Sequence, residues 1–386
     1  MSEPAQQLGD PAADRDVSAL AERFRTLADT DYAGYSPTYE RIARALAAEP
    51  DTLALLAGVA PTGRTPVLSF AAVHDIVLAE PDQPLAAIYA GDRREDPWPA
   101  YRALLQARSG DVAERMRTRA IQTNEVGRSA AIAPALAAVA ADEATHRGRR
   151  LALVEVGASA GLNLLFDRYA ATYRREGAVV GRCGPTDSAV QLDCELRGPA
   201  DPPFGPAPDI ASRRGLDLKP VDVTDDESCR WLRACLWPDV PDRAQRLTAA
   251  VAVARRSPPP LHRGDARTDL APLLAELPDD VLPVVLATWA LAYLGRTGRD
   301  LLLEALDDLG ARRDLVLVTA EEASATPWLP EPPAEVAACG DGAGAGTPTL
   351  LGRRTWRDGT AADEALALSH PHVRWMAWVP GAGATA

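Results

Sequence analysis

The stretch Leu151-Ala-Leu-Val-Glu-Val-Gly-Ala-Ser-Ala-Gly161, continued by Leu162-Asn-Leu-Leu-Phe166, decides the fold. Five of its first six residues are apolar, and Glu155 is the exception. Small residues follow at alternating positions: Gly157, Ser159 and Gly161. Leu162, Leu165, Phe166 and Tyr169 then recur at i, i+3, i+4 and i+7. The pattern predicts a buried strand, a tight turn and a helix. Small residues in such a turn let backbone N–H groups approach a ligand at a helix N-terminus. Two spellings compete: acid-x-Gly-x-Ser-x-Gly reads as a nucleotide-type cofactor loop, and Gly157-x-Ser159-x-Gly161 as a hydrolase nucleophile elbow.

Downstream of this stretch, two more apolar strands are predicted, Val281 to Thr288 and Asp314 to Thr319. Val190 to Leu196 alternates and reads as a strand, and shorter ones are expected at Gly215 to Val223 and Leu261 to Ala266. Helices are expected between them, including one opened by Thr224-Asp-Asp-Glu227. A closing hairpin is expected from Thr349 to Trp356, through Arg357-Asp358-Gly359, to a return strand near Val373 to Val379. Strands alternating with helices indicate an α/β fold, a mostly parallel open sheet ending in a C-terminal antiparallel hairpin.

Upstream, every signal is helical. Residues 1–16 are expected to be a disordered N-terminus and 17–146 an all-helical cap domain, with 147–386 the sheet domain. An insertion is placed at about 177–212 and a mobile loop at about 330–347. Ser36-Pro37 reads as an N-cap with proline at the first helical position. Within the helical part, Gln122-Thr-Asn-Glu125 and Arg128 form a polar cluster heading an apolar helix. Capping by Thr123 or Asn124 explains part of it; a site contribution explains the rest.

Composition bounds the function. The chain has 386 residues, 47% hydrophobic, with a net charge of −13. That charge argues against nucleic-acid and anionic-membrane binding, which need a basic footprint. Lys219 is the single lysine among 41 basic residues, and no Gly-x-x-x-x-Gly-Lys motif occurs, which excludes a P-loop nucleotidase. Five cysteines without C-x-x-C spacing suit a reducing compartment. No apolar run reaches about 18 residues, and no leader pattern is seen, so a cytoplasmic protein is expected. His370-Pro-His372 lacks a neighbouring ligand cluster in sequence, and no metal site is expected. His74, on an apolar helix, reads as a buried structural histidine.

The hydrolase reading satisfies the order Ser159, then Asp265 or Glu321, then His370 or His372. It leaves Glu155 without a role and supplies no preceding strand for an oxyanion hole. The cofactor reading places Glu155, Asp217 and Asp265 at strand ends where open parallel sheets bind ligands. The dinucleotide fingerprint is nevertheless incomplete, since Ser159 replaces its middle glycine.

Val154-Glu-Val-Gly-Ala-Ser-Ala-Gly161 resembles motif I of class I S-adenosylmethionine-dependent methyltransferases. Gly264-Asp265-Ala266 and Val284 to Leu291 resemble their adenine-side and fourth-strand motifs. The departures are Ser159 and an insertion of roughly 40 residues before Asp217, against a usual spacing of about 20. From about Phe24 to Val379 the chain also resembles DUF2332, an actinobacterial family of unknown function. The carrying residues include Ser36-Pro37-x-Tyr39-Glu40, Gln122 to Arg128, Glu155 to Asn163, Cys194 to Gly198, Asp222 to Asp225, Arg263-Gly-Asp265, Trp289-x-Leu-x-Tyr293 and His370-Pro-His372.

These resemblances imply a Rossmann-like methyltransferase-type domain using S-adenosylmethionine on a small-molecule acceptor. Glu155, Gly157, Ser159, Gly161, Asn163, Asp217 and Asp265 are the expected cofactor residues. Glu125, Arg128 and His370 are the expected catalytic residues, and Gln122, Asn124, Trp289 and Tyr293 the expected acceptor pocket. A methyltransferase fold that only binds, and a serine hydrolase using Ser159, are the alternatives.

Overall fold

The computed structural model describes residues 16–60, 65–340 and 347–383. Residues 1–15 of the expected disordered tail and 341–346 of the expected mobile loop lie outside the described residues. The chain divides into two compact units, one of residues 1–123 and 224–245, the other of 124–223 and 246–386. The division groups Asn124 to His146, expected with the helical cap, with the sheet. It also returns 224–245 to the helical unit.

In the helical unit, Val17–Leu27, Pro37–Ala48, Thr65–Ala79, Pro97–Ala107 and Asp226–Ala234 surround an aromatic core. Phe70 stacks on Tyr39 with centroids 4.3 Å apart and meets Phe24 and Tyr32 edge-on. Ser36 caps its helix by accepting from Tyr39 N, with Pro37 at the first turn. Ser36 and Thr38 both donate to Asp239, which fixes the returning segment. Asp75 pairs with Arg115 and Arg230. His74 is buried with Nδ1 on the carbonyls of Ala234 and Leu236, and burial pushes it down to about 4. It is a neutral strut.

The other unit is a mixed α/β structure around one 11-stranded, mostly parallel sheet. Its strands are β1 (Arg150–Val156), β2 (Ala170–Arg175), β3 (Ala178–Cys183), β4 (Gln191–Arg197), β5 (Ile210–Asp217), β6 (Leu261–Arg263), β7 (Val281–Thr288), β8 (Leu315–Glu322), β9 (Thr349–Arg357), β10 (Thr360–Ser369) and β11 (Trp375–Trp378). The order is β3-β2-β4-β11-β10-β9-β8-β7-β1-β5-β6. Within it, β6-β5-β1-β7-β8 is wholly parallel. Counted along the chain, those five strands have the order 3-2-1-4-5 of doubly wound nucleotide-binding sheets, which reverses direction beside β1. Every residue of β7 and β8 is buried, as near-continuous apolar runs covered on both faces require. Leu270, Leu274, Leu302 and Leu306 pack on one face against Val154, Val156, Val285 and Leu317.

Two expectations are corrected. The segment after Gly161 is not an amphipathic α-helix running toward Gly177. It is a short 3-10 stretch, Asn163–Arg168, with non-helical dihedrals at Leu165, followed directly by β2. The helical spacing of Leu162, Leu165, Phe166 and Tyr169 arises from burial across this bend. Tyr169 Oη donates to Leu162 O across it at 2.8 Å. The β2–β3 hairpin turns on Glu176 and Gly177, both with positive φ (50° and 80°), which matches the right-handed twist of paired strands. The return strand of the closing hairpin is β10, not the segment near Val373, and β11 follows as a further strand pairing β10 with β4. Thr360–Ser369 is alanine-rich and carries little β-branched signal. Its pairing with β9 is held instead by Arg353–Glu364 and Arg354–Asp363 contacts, each 2.7 Å.

Candidate functional site at the carboxyl ends of the parallel strands

The loop after β1 is closed by its own chain. Gly157 N donates to Leu216 O, Ser159 N to Asp217 Oδ2 and Gly161 N to Ala158 O. Asp217 Oδ1 accepts from Lys219 N at 2.8 Å. Gly157 and Gly161 have φ of 68° and 67°. A Cβ on Gly157 would lie 2.9 Å from Ala290 Cβ, and one on Gly161 2.7 Å from Pro259 Cγ. Glycine is therefore demanded by backbone conformation and close packing together. Ser159 sits at φ 51°, unusual for a residue with a side chain, and its hydroxyl accepts from Asn124 Nδ2. The anion cradle expected at a helix N-terminus does not form, because only the 3-10 stretch follows this loop.

The β5–β6 register brings the other two acids to the same rim. Asp217 pairs with Arg263, and Gly264 N donates to Asp217 O. Asp265 caps the helix Ala266–Ala275. The Arg267 guanidinium bonds both Asp265 oxygens and holds that carboxyl below its usual range.

Beside the loop lies a cluster of buried ionisable groups. Glu155 is 2% exposed, and its Oε1 accepts from Asn163 Nδ2 at 3.3 Å, while Oε2 has no hydrogen-bond partner. Burial pushes Glu155 up to about 8, with Asn163 and Arg128 pulling back. It is therefore a neutral acid near pH 7, able to donate as well as accept. Glu321 is fully buried at the end of β8 and accepts from the N–H groups of Ala290, Leu291 and Ala292. Burial raises it to about 7 despite those bonds and Arg128. Arg128 Nη1 donates to Thr288 O at 3.1 Å, and its guanidinium stands 5.7 Å from the centroid of the Trp289 ring. Trp289 has φ 54° and anchors its indole N–H on Thr349 Oγ1. Positive φ at Ser159 and Trp289 is backbone strain at the ends of two adjacent strands, where functional loops store it.

The third part of the cluster is Glu125, His370 and His372. Glu125 caps the 3-10 turn Val126–Arg128 by accepting from Gly127 N, and its Oε2 is 3.0 Å from His372 Nδ1. His372 N donates to His370 Nδ1 at 2.9 Å.

Of the residues singled out in the sequence, Asn124, Glu125, Arg128, Glu155, Ser159, Asn163, Trp289 and His370 lie in the sheet unit among these hydrogen bonds and charge contacts, and Gly157 packs beside them against Ala290. Asp217 and Asp265 line the neighbouring rim. Gly161 closes the β1 loop, and Tyr293 is half-buried in the 3-10 turn Leu291–Leu294. Gln122 belongs to the helical unit. Neither Glu321 nor His372 is among the expected site residues: Glu321 stands as an alternative hydrolase acid, and His372 as an alternative hydrolase base and part of the His370-Pro-His372 pair. Their signals were a Glu-Glu pair ending an apolar strand and a histidine two residues from another.

A separate cleft of about 380 Å³ opens at the opposite, amino ends of β1 and β8, lined by residues such as Arg147, Arg149, Arg312, Arg313 and Asp314. Its acids and arginines are ion-paired to one another in large part. Among the described residues no group of three or more His, Cys, Asp or Glu is arranged to hold a metal ion. No described helix is long and apolar enough to cross a membrane.

A family model for an uncharacterized protein conserved in bacteria, DUF2332, matches residues 21–378. No curated protein and no solved structure matches the chain.

Proposed function

The chain belongs to the DUF2332 family, and from its site we propose that it is an S-adenosylmethionine-dependent methyltransferase acting on a small-molecule acceptor. The observation that carries this reading is the bond from Ser159 N to Asp217 Oδ2, 2.8 Å. It joins the acid-x-Gly-x-Ser-x-Gly loop to the acid ending the next strand, at the reversal point of a parallel sheet. The fit to the cofactor rests on the donor set. Asp217 keeps lone pairs for ribose hydroxyls, because each carboxylate oxygen accepts more than one bond. Asp265 adds a second acceptor on the rim, and the unpartnered Oε2 of Glu155 a buried polar atom beside the loop. When bound, the cofactor would supply an electrophilic methyl group. The protein's share is to exclude water, orient the acceptor through the Glu125, Arg128 and Trp289 set, and hold its proton.

Calorimetric titration with S-adenosylmethionine tests this. A saturable heat, weakened in Asp217→Ala, is expected. Folded protein giving no heat at millimolar cofactor contradicts the reading. Binding without S-adenosylhomocysteine formation for any acceptor would favour a methyltransferase fold that only binds.

The φ of Ser159 also favours a second reading, a nucleophile elbow. A hydrolase serine must give its proton to a base, and the side chain that meets this hydroxyl is the Asn124 amide, which approaches through Nδ2 and is no base. Fluorophosphonate labelling abolished by Ser159→Ala would restore that reading; no labelling ends it.

A further inference from the structure

We propose that His372 is the proton acceptor of this site and that Glu125 is the carboxylate that positions it. The proposal rests on the methyl-transfer reading for the reaction it serves. It implies an acceptor whose attacking oxygen or nitrogen carries a proton, an alcohol, phenol or amine, rather than a carboxylate, a thioether or an activated carbon without one.

Four observations support it. Glu125 is 2% exposed; its Oε1 accepts from Gly127 N at 3.0 Å, and its Oε2 stands 3.0 Å from His372 Nδ1 as an ion-pair contact. The carboxylate is thus held with one oxygen on the imidazole. Gly127 is bare because the two groups converge there: a Cβ would stand 2.8 Å from His372 O and 2.9 Å from Glu125 Oε1. The turn that presents His372 is strained, with β-branched Val373 at φ 50°. That turn is locked by Val373 N to His370 O and His370 N to Trp375 O. Finally, the His372 side chain keeps 18% of its surface exposed above a carboxylate that is itself buried.

A carboxylate oxygen 3.0 Å from Nδ1 favours the neutral tautomer that carries its proton there and its lone pair on Nε2. It also stabilises the imidazolium formed when Nε2 takes a proton. In the step, the acceptor's O–H or N–H proton passes to Nε2. The electron pair it leaves forms the new bond to the methyl carbon, and the carbon–sulfur pair stays on sulfur. His370 has a different part, since its Nδ1 accepts the His372 amide and builds the turn.

The tautomer of His372 in the full-length protein, read by long-range nitrogen–proton NMR of the imidazoles, is the first test. Nδ1–H with an unprotonated Nε2 is expected; Nε2–H overturns the proposal. Site-resolved mass spectrometry after diethylpyrocarbonate treatment gives a second readout independent of turnover. His372 is expected to react, and more slowly in Glu125→Gln; equal rates overturn the positioning role. His372→Gln should lower kcat by about 100-fold or more, with cofactor heat retained and activity of His372→Ala rescued by added imidazole. Unchanged kcat in His372→Gln overturns the proposal. Absence of cofactor heat in the wild-type protein would defeat the methyl-transfer reading instead, while the tautomer and modification results would still judge the dyad.

Discussion

The two ends of the central parallel strands treat buried carboxylates in opposite ways. At the amino end, Glu143 receives Arg149 at 2.8 Å and Arg357 at 3.0 Å, and Arg149 reaches Asp314 at 2.8 Å. Burial alone would raise both acids, but their arginine and amide donors outweigh it and hold them below the usual carboxylate range. At the carboxyl end, Glu155 and Glu321 are enclosed more completely and share one arginine, Arg128, whose Nη1 is spent on a backbone carbonyl. Burial wins there, giving about 8 and about 7. Depth and the supply of donors together set the charge of an acid in this sheet: the raised pair is both more enclosed and less well supplied with cations. Full pairing marks the end that holds the structure together, and withheld pairing at the other end is what the proposed function draws on for proton chemistry.

The contrast can be broken most severely at the amino end. Glu143→Gln should leave Arg149 and Arg357 partly unpaired in a buried setting and cost about 3–5 kcal/mol in chemical denaturation. Because Glu143 and Asp314 are lowered in the folded state, the stability they contribute is present at neutral pH. It is lost as pH falls through their folded values.

Glu155→Gln should do the reverse. The wild-type acid is protonated in the fold between its ordinary value and about 8, while the unfolded chain is ionised there. Its contribution to stability therefore falls as pH rises across that window. The glutamine variant should gain on wild type by up to a few kcal/mol at pH 8, and the gain should shrink toward pH 5. A pH-independent difference would show that Glu155 is ionised in the fold.

The smallest effect is expected at Ser159. Glycine there relieves strain of about 1 kcal/mol and removes the Asn124 bond, worth about 1 kcal/mol, so stability should barely move. Cofactor affinity is the sharper readout of Ser159→Gly. Tighter binding identifies a weakened methyltransferase loop, and lost binding makes the hydroxyl a ligand contact.

The sequence carried β1, β7 and β8 well, because buried parallel strands write themselves as unbroken apolar runs; β5, expected at Gly215 to Val223, lies at Ile210–Asp217, an arginine-bearing run that is only partly buried. Val281–Thr288 and Pro97–Ala107 were legible to the residue. The remainder was hidden where tertiary contacts override local pattern. Leu162, Leu165 and Phe166 have helical spacing but bury around a bend. Alanine-rich Thr360–Ser369 is a strand only because β9 and β11 flank it. In the site, the acids and the polar cluster Asn124 to Arg128 were visible as residue types out of place in apolar surroundings. The pairing of Glu125 with His372, 247 positions away along the chain, was not, since it depends on the register of strands that the sequence does not number.

Infrared spectroscopy of the protonated carboxyl C=O stretch tests the central contrast most directly. At pH 6.5 the wild-type protein should show absorption from two buried neutral acids, Glu155 and Glu321, with the Glu155 component lost in Glu155→Gln and both components preserved in folded Glu143→Gln. Absence of both components, an unchanged spectrum in Glu155→Gln, or loss of a component in Glu143→Gln would contradict the assignment of the neutral acids to the carboxyl end.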